Sequence, residues 1–570
     1  MRRLAIILGL FASAGPAVGD ALVVTRAMKA GTIAEIFVEQ GNIRVELEIG
    51  AADLESFGNV LADAMRAEGG ESLPSAPTGK GTRLFAAGWE VKADGVPLVP
   101  RVQEAEARVR VQRDEITGEP VPRKEQEAEA VVFIRLQYAL QGRPKTVSLK
   151  APGGRVSLGF VLYHGGVPVT DFRYLSGEET VDLNWDDPWY SRFRNRNLRR
   201  QFDAPLSAFL YIEPFEVRQE IVCRPKDLQQ WVDLGLEGKQ VIPASAHAEV
   251  KRKVAQFLTG RNPVRVDGKP AAMKLDRIHF IQRSLRRTRV VDPPEDLPLV
   301  SATLGVIFVA ATEGLPREVT MKWELFGAKF PQVPAVATDE AGGMPYVLSA
   351  DDDVLRWQNF LTNPTLPQMR VIALPAGASF LDLPLFNIYC ITVALALAGL
   401  GIRARSRRRA RRYLAASAVA VLTAIALGGP GARPVPDRDE RAEILEGLLH
   451  NVYRAVDHRD DGIAYDRLEL SIAGDLLRQV FLQARRSIEL ENQGGARVKV
   501  QAVALVEHEL KAGVPDGFAA ECTWNVSGSV GHWGHVHRRT NQYRAALDVE
   551  PLDGVWKITG LEILGEVRLP

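Results

Sequence analysis

The sequence predicts a multidomain α+β protein: two duplicated exported units of mixed α and β, a two-helix transmembrane hairpin, and a C-terminal α+β cone. Three observations predict it. Two uncharged apolar runs, 383–402 and 413–430, flank seven arginines at 403, 405, 407, 408, 409, 411 and 412. A set of short patterns recurs at a nearly constant offset through the first two thirds of the chain. The last quarter begins with helical periodicity and ends in four strand-like runs.

The chain has 570 residues, enough for three or four domains. At 46% hydrophobic and 25% charged it has the apolar material for ordinary cores. The net charge is +1, so no global field favours nucleic acid, and none is expected as a partner. The three cysteines, Cys223, Cys390 and Cys522, are scattered and form no disulfide framework. Residues 1–19 read as a signal peptide: Arg2 and Arg3, a short apolar core over 4–11, and the small residues Ala17 and Gly19 around Val18.

The first exported unit is expected over 20–190, a linker and leading strand over 191–216, and the second unit over 217–375. Asp53 pairs with Asp227, Asp94-Gly95 with Asp267-Gly268, Gly142 with Gly314, and Ser176 with Ser349, at offsets of 172 to 174 residues. The Asp-Gly pairs supply the positive φ that tight hairpins need. Helices are expected over 52–65, 227–234 and 246–258, with Ser245 as an N-cap and Gly260 as the stop. Asp351, Asp352 and Asp353 suit a helix N-terminus. His164 reads as structural, and Trp185–Arg200 as a polar linker with anchoring aromatics, or as an aromatic-basic face for anionic headgroups or another envelope polymer.

A run of about 20 apolar residues suits a membrane span, and short arginine-rich loops stay cytoplasmic. The spans are therefore expected at 383–402 and 413–430, with a cytoplasmic loop at 403–412. Everything on either side of the hairpin would then face the periplasm, at the bacterial inner membrane.

The tail, 431–570, opens with an apolar stripe of Ile444, Leu445, Leu448, Leu449, Val452 and Tyr453. A second helix is expected over 474–485, and strands over 498–510, 517–527, 536–549 and 554–564. Asn451, Tyr453, Asp457, Ala464-Tyr465-Asp466 and the closing Asp553-Gly554-Val555-Trp556-Lys557-Ile558 resemble the nuclear-transport-factor-2-like or SnoaL-like superfamily. The whole arrangement is similar to uncharacterised bacterial membrane proteins with such a tail. The resemblance implies a cone with a cavity, and self-association through its open sheet, but no particular reaction.

Two constellations carry candidate chemistry. His532, His535 and His537 fall within six residues, and imidazoles at that spacing suit zinc or copper. His537, Arg539, Asn541 and Tyr543 alternate along one strand, with Trp524 on the strand before, and are expected to line the cavity. No paired carboxylate joins that face, which weighs against an enzyme. No P-loop, nucleophile elbow or dinucleotide fingerprint occurs. The expected function is a membrane-anchored periplasmic binding and assembly protein with an envelope partner. The alternatives are metal handling by the three histidines and a small-molecule enzyme in the cone.

Overall fold

The computed structural model describes residues 25–61, 88–110, 129–153, 156–201, 203–283, 288–362, 364, 368–374, 385–404, 406–427, 436–458, 460–494, 497–511, 517–532 and 535–569. The predicted signal peptide lies outside them. The described residues are mostly β, arranged in six sheets. The mixed α/β character expected for the two exported units is therefore corrected: each is a β-sandwich with little helix.

The first unit contains β1 (Thr32–Glu39), β2 (Asn42–Gly50), β3 (Glu90–Ala93), β4 (Val96–Pro97), β5 (Pro100–Val109), β6 (Ala130–Ala139), β7 (Thr146–Lys150), β8 (Leu158–His164), β9 (Val167–Pro168), β10 (Arg173–Tyr174), β11 (Glu178–Asp182) and β12 (Arg192–Phe193). One sheet runs β10-β8-β1-β2-β6-β5, with β9 on β8; the other runs β12-β11-β7-β3-β4. Alternation makes the sandwich. On β1 and β2 the buried positions are Ala34, Ile36, Val38 and Ile43, Val45, Leu47, Ile49. They meet Val91, Val147 and Val181 of the facing sheet in one core.

The second unit contains β13 (Leu206–Glu213), β14 (Glu216–Cys223), β15 (Val241–Ile242), β16 (Val264–Val266), β17 (Lys269–Pro270), β18 (Lys274–Arg283), β19 (Thr288–Val290), β20 (Leu297–Pro298), β21 (Thr303–Ala311), β22 (Glu318–Lys322), β23 (Gln332–Asp339), β24 (Gly342–Ser349) and β25 (Val354–Gln358). Its sheets run β24-β23-β13-β14-β21-β18-β19 and β25-β22-β16-β17. The central paths correspond, β8-β1-β2-β6-β5 with β23-β13-β14-β21-β18 and β11-β7-β3-β4 with β25-β22-β16-β17, while β12, β19 and the two-stranded β15–β20 sheet have no counterpart. Each large sheet also has one parallel pair at the same place, β1 with β8 and β13 with β23.

Local chemistry explains where helix gave way. Residues 52–65 were expected to be helical; the chain forms a 3-10 helix, Ala51–Phe57, that tucks Phe57 into the core and continues as α-helix over 58–61, and 62–65 lie outside the described residues. The stretch 227–234 shrinks to α1 (Pro225–Leu228). Among the described residues of the two sandwiches only α2 (His247–Leu258) is a full amphipathic helix, burying Val250, Val254 and Leu258. Ser245 does not cap it; a 3-10 turn over Ala244–Ala246 leads in instead. Asp352 bridges to Ser349 in a turn before β25, so the acidic triplet starts no helix.

The transmembrane hairpin is also corrected. Two helices do lie side by side, α3 (Leu385–Arg403) and α4 (Arg407–Leu427). Ser417 Oγ donates to the Ala394 carbonyl at 2.8 Å across the seam. Yet among the described residues no helix is long and apolar enough to cross a membrane. The arginines expected in a loop are built into α4 itself, at 407, 408, 409, 411 and 412. Within α4 only Tyr413–Leu427 is free of charge, about 22 Å of helix, against a hydrocarbon core of about 30 Å.

The C-terminal unit packs α5 (Arg438–Ala455), α6 (Asp461–Glu469) and α7 (Gly474–Gly494) on an antiparallel sheet of β26 (Arg497–Lys511), β27 (Phe518–His532), β28 (His535–Leu552) and β29 (Val555–Leu569). Asp437 and Glu440 close a capping box on α5. Asp553 and Gly554 both have positive φ, the requirement of the tight β28–β29 turn. This unit is not confined to 431–570. Residues 369–374 join it: Trp556 N donates to Ile372 O, Leu374 N to Gly554 O, and Met369, Ile372 and Leu374 pack on its core. The helix pair is thus an excursion out of the C-terminal unit.

Candidate functional site

The described side chains in the interior of the C-terminal unit pack on one another. Trp524 and Tyr543 are buried, with stacked rings 5.7 Å apart. Trp524 Nε1 donates to Tyr453 Oη at 3.3 Å. Asn541, also buried, donates from Nδ2 to Tyr543 Oη at 3.1 Å and to Glu566 Oε1 at 2.8 Å. Tyr543 Oη donates to the same carboxylate oxygen at 3.1 Å. Burial pushes both tyrosine hydroxyls well above their ordinary range, so they stay neutral donors. Trp524, Asn541 and Tyr543 thus lie together in one hydrogen-bonded group with Tyr453 and Glu566.

The side chains of His532, His535, His537 and Arg539 lie outside the described residues. Their backbone is described: the β27–β28 register sets His532 opposite His535, and His537 opposite Val530. Among the described residues no group of three or more His, Cys, Asp or Glu is arranged to hold a metal ion.

A cleft of about 840 Å³ opens elsewhere, between the second sandwich and the C-terminal unit. Its floor is the outer face of the large sheet, with Phe209 and Tyr211 on β13 and Val336 and Thr338 on β23. Gly342 and Gly343, opening β24, present backbone along one side. The opposite wall carries Lys499, Val500, Gln501 and Ser529.

Charges around the cleft are internally balanced. Lys499 Nζ lies 3.3 Å from Glu213 Oε2. The Arg218 guanidinium sits over the Tyr211 ring at 4.2 Å. Arg454 donates to the Val500 and Gln501 carbonyls at 2.6 and 2.8 Å and pairs with Asp457 at 3.3 Å. Burial raises the Asp457 pKa, while the Arg454 charge opposes that shift. Asp339 accepts from Trp357 Nε1 at 2.9 Å and from the Ala341 amide at 2.8 Å. Beside the cleft, Phe215 stacks near the His458 ring at 4.1 Å and lies under Arg467.

Sequence reasoning missed this cleft because its residues come from seven separate segments, with no local motif to mark them. The polar linker turned out to be a clamp between the sandwiches. Trp189 lies between Arg200 and Arg224, at 3.9 and 4.5 Å. Arg224, nearly inaccessible, pairs with Asp227 at 2.6 Å and Asp187 at 3.1 Å, and Tyr190 Oη donates to Asp227. His164 is buried with its Nδ1 2.7 Å from Ser191 Oγ, and burial lowers its pKa to about 4.

No protein-family model matches this chain, and no curated protein matches it. Among solved structures it is similar to the intermembrane space region of chloroplast protein ARC6, at 19% identity and a TM-score of 0.15, over 23% of this chain and 99% of that one.

Proposed function

We propose that this chain is a binding and assembly protein of the bacterial envelope, and that the cleft between the second sandwich and the C-terminal unit holds a polypeptide segment of its partner. The observation that carries this reading is the cleft of about 840 Å³ between the two units. The cleft has an apolar floor, exposed glycine backbone and charges that already have partners. That surface suits the mixed polarity of a peptide better than a compact anion. The signal-like start supports work outside the cytoplasm, and alkaline phosphatase fused after Pro570 should be active in cells. The superfamily resemblance of the tail agrees with an assembly role.

The test is a photo-reactive amino acid at Thr338 in the cleft, compared with Val99, which is 86% exposed in the first unit. The expected result is a discrete adduct in cells at 338 that is absent at 99. S529W, which fills the cleft from the other wall, should remove it. No adduct at 338, or the same adducts at both positions, contradicts the proposal.

The opposed backbone positions of His532 and His535 favour a second reading, a zinc or copper site with His537. Metal content of the full chain, beside a variant with all three histidines changed to alanine, decides it. About one metal per chain, lost in the variant, supports that reading; none in either removes it.

A further inference from the structure

The α3–α4 pair is exposed on nearly every side. Beyond the seam at Cys390, Ala394 and Gly401, its apolar side chains face outward: Tyr389 is 67% exposed, Leu395 68%, Ile402 83% and Leu422 63%. An ordinary surface helix shows one apolar stripe and one polar face. These two show apolar side chains all round, with polar charge confined to one end. There Arg403, Arg407, Arg408, Arg409, Arg411 and Arg412 are all exposed, and none has an ion pair among the described residues.

A protein groove would cover one flank and leave the others in water. A second copy would bring two arginine clusters near each other when aligned in parallel. A lipid phase covers every flank at once, and anionic headgroups match the arginine end. Exposed apolar surface of this extent on a folded protein marks an interaction site. We infer that the helix pair docks this protein on an anionic lipid surface, lying along the interface without crossing the bilayer, with the arginines among headgroups and the apolar flanks at the acyl boundary. This goes beyond the cleft and does not depend on it.

The test is flotation of the full chain with vesicles of phosphatidylcholine alone or with phosphatidylglycerol added. Binding should require the anionic lipid and weaken with salt. Replacing Arg407, Arg408 and Arg409 with Glu should reduce partitioning by roughly a hundredfold, at about fivefold for each arginine removed. L395E with L422E should reduce it as well, and unchanged far-ultraviolet dichroism would show both variants folded. No flotation, equal flotation on both vesicles with no loss in the arginine variant, or oligomers that form in place of vesicle binding each overturn the proposal. Because the cleft variant S529W leaves the helix pair intact, it should float normally, which separates the two proposals.

Discussion

Trp524, Asn541 and Tyr543 were legible in the sequence as one cluster because residues on paired strands alternate faces. What they form was not legible. What such a face bonds to depends on what arrives from the opposite layer, and here Tyr453 of α5 packs against it and accepts from Trp524. W524A should therefore cost about 3–5 kcal/mol of unfolding free energy, read by urea denaturation. Y543F should cost only about 1 kcal/mol, since Asn541 still reaches Glu566. His164 gives a pH signature. Its folded pKa, about 4, lies below the ordinary histidine value, so its neutral form belongs to the fold. The unfolded chain binds the extra proton, and stability is intact above about pH 6.5 and falls between there and 4, by on the order of 3 kcal/mol. H164Q should flatten that slope in thermal melts across the window; an unchanged slope counts against the assignment.

At the scale of elements, turns were the most legible feature. Asp94-Gly95, Asp267-Gly268 and Asp553-Gly554 all take positive φ at both positions, which their side-chain chemistry prescribes. Helices were less so. The stretch 52–65 has helical spacing, yet its first turns, up to Phe57 packed under the sheet, wind as the tighter 3-10 form before α-helix begins at 58. The helix pair shows the limit of reading charge as topology. Consecutive arginines continue a helix as readily as they form a loop, because arginine has good helix propensity. The segment 368–374 carried no signal of its own, and its place in the C-terminal unit comes from pairing with Trp556 and Asn451. A Cβ at Gly447 would collide with Ile372. G447V should release that segment and make it sensitive to limited proteolysis, while a fragment starting at Asp437 should unfold at lower denaturant than one starting at Gln368.

The whole molecule is two sandwiches of the same central strand order followed by a third unit that covers the second. Strands β1 and β13, β2 and β14, β3 and β16, and β5 and β18 each begin 174 residues apart. The outer sheet faces differ. In the first unit that face carries ion pairs such as Arg135 with Glu46 at 3.1 Å, and Arg44 over Phe37 at 3.8 Å. In the second, Phe209, Tyr211, Val222 and Ile307 form a buried apolar layer. That difference was visible in the residues, but its meaning needed the third unit in place. The sandwiches are tied by Arg224, whose removal leaves Asp187 and Asp227 without their buried cation. R224M should cost about 3–5 kcal/mol and separate the unfolding of the two sandwiches in calorimetry.

Mapping the partner from both walls of the cleft tests the central claim most directly. Photo-reactive residues at Thr338 and at Gln501 would be cross-linked in cells and the adducts sequenced by mass spectrometry. The account predicts one partner, joined through the same short peptide from either wall. Adducts to unrelated partners, or none at either wall, would contradict it.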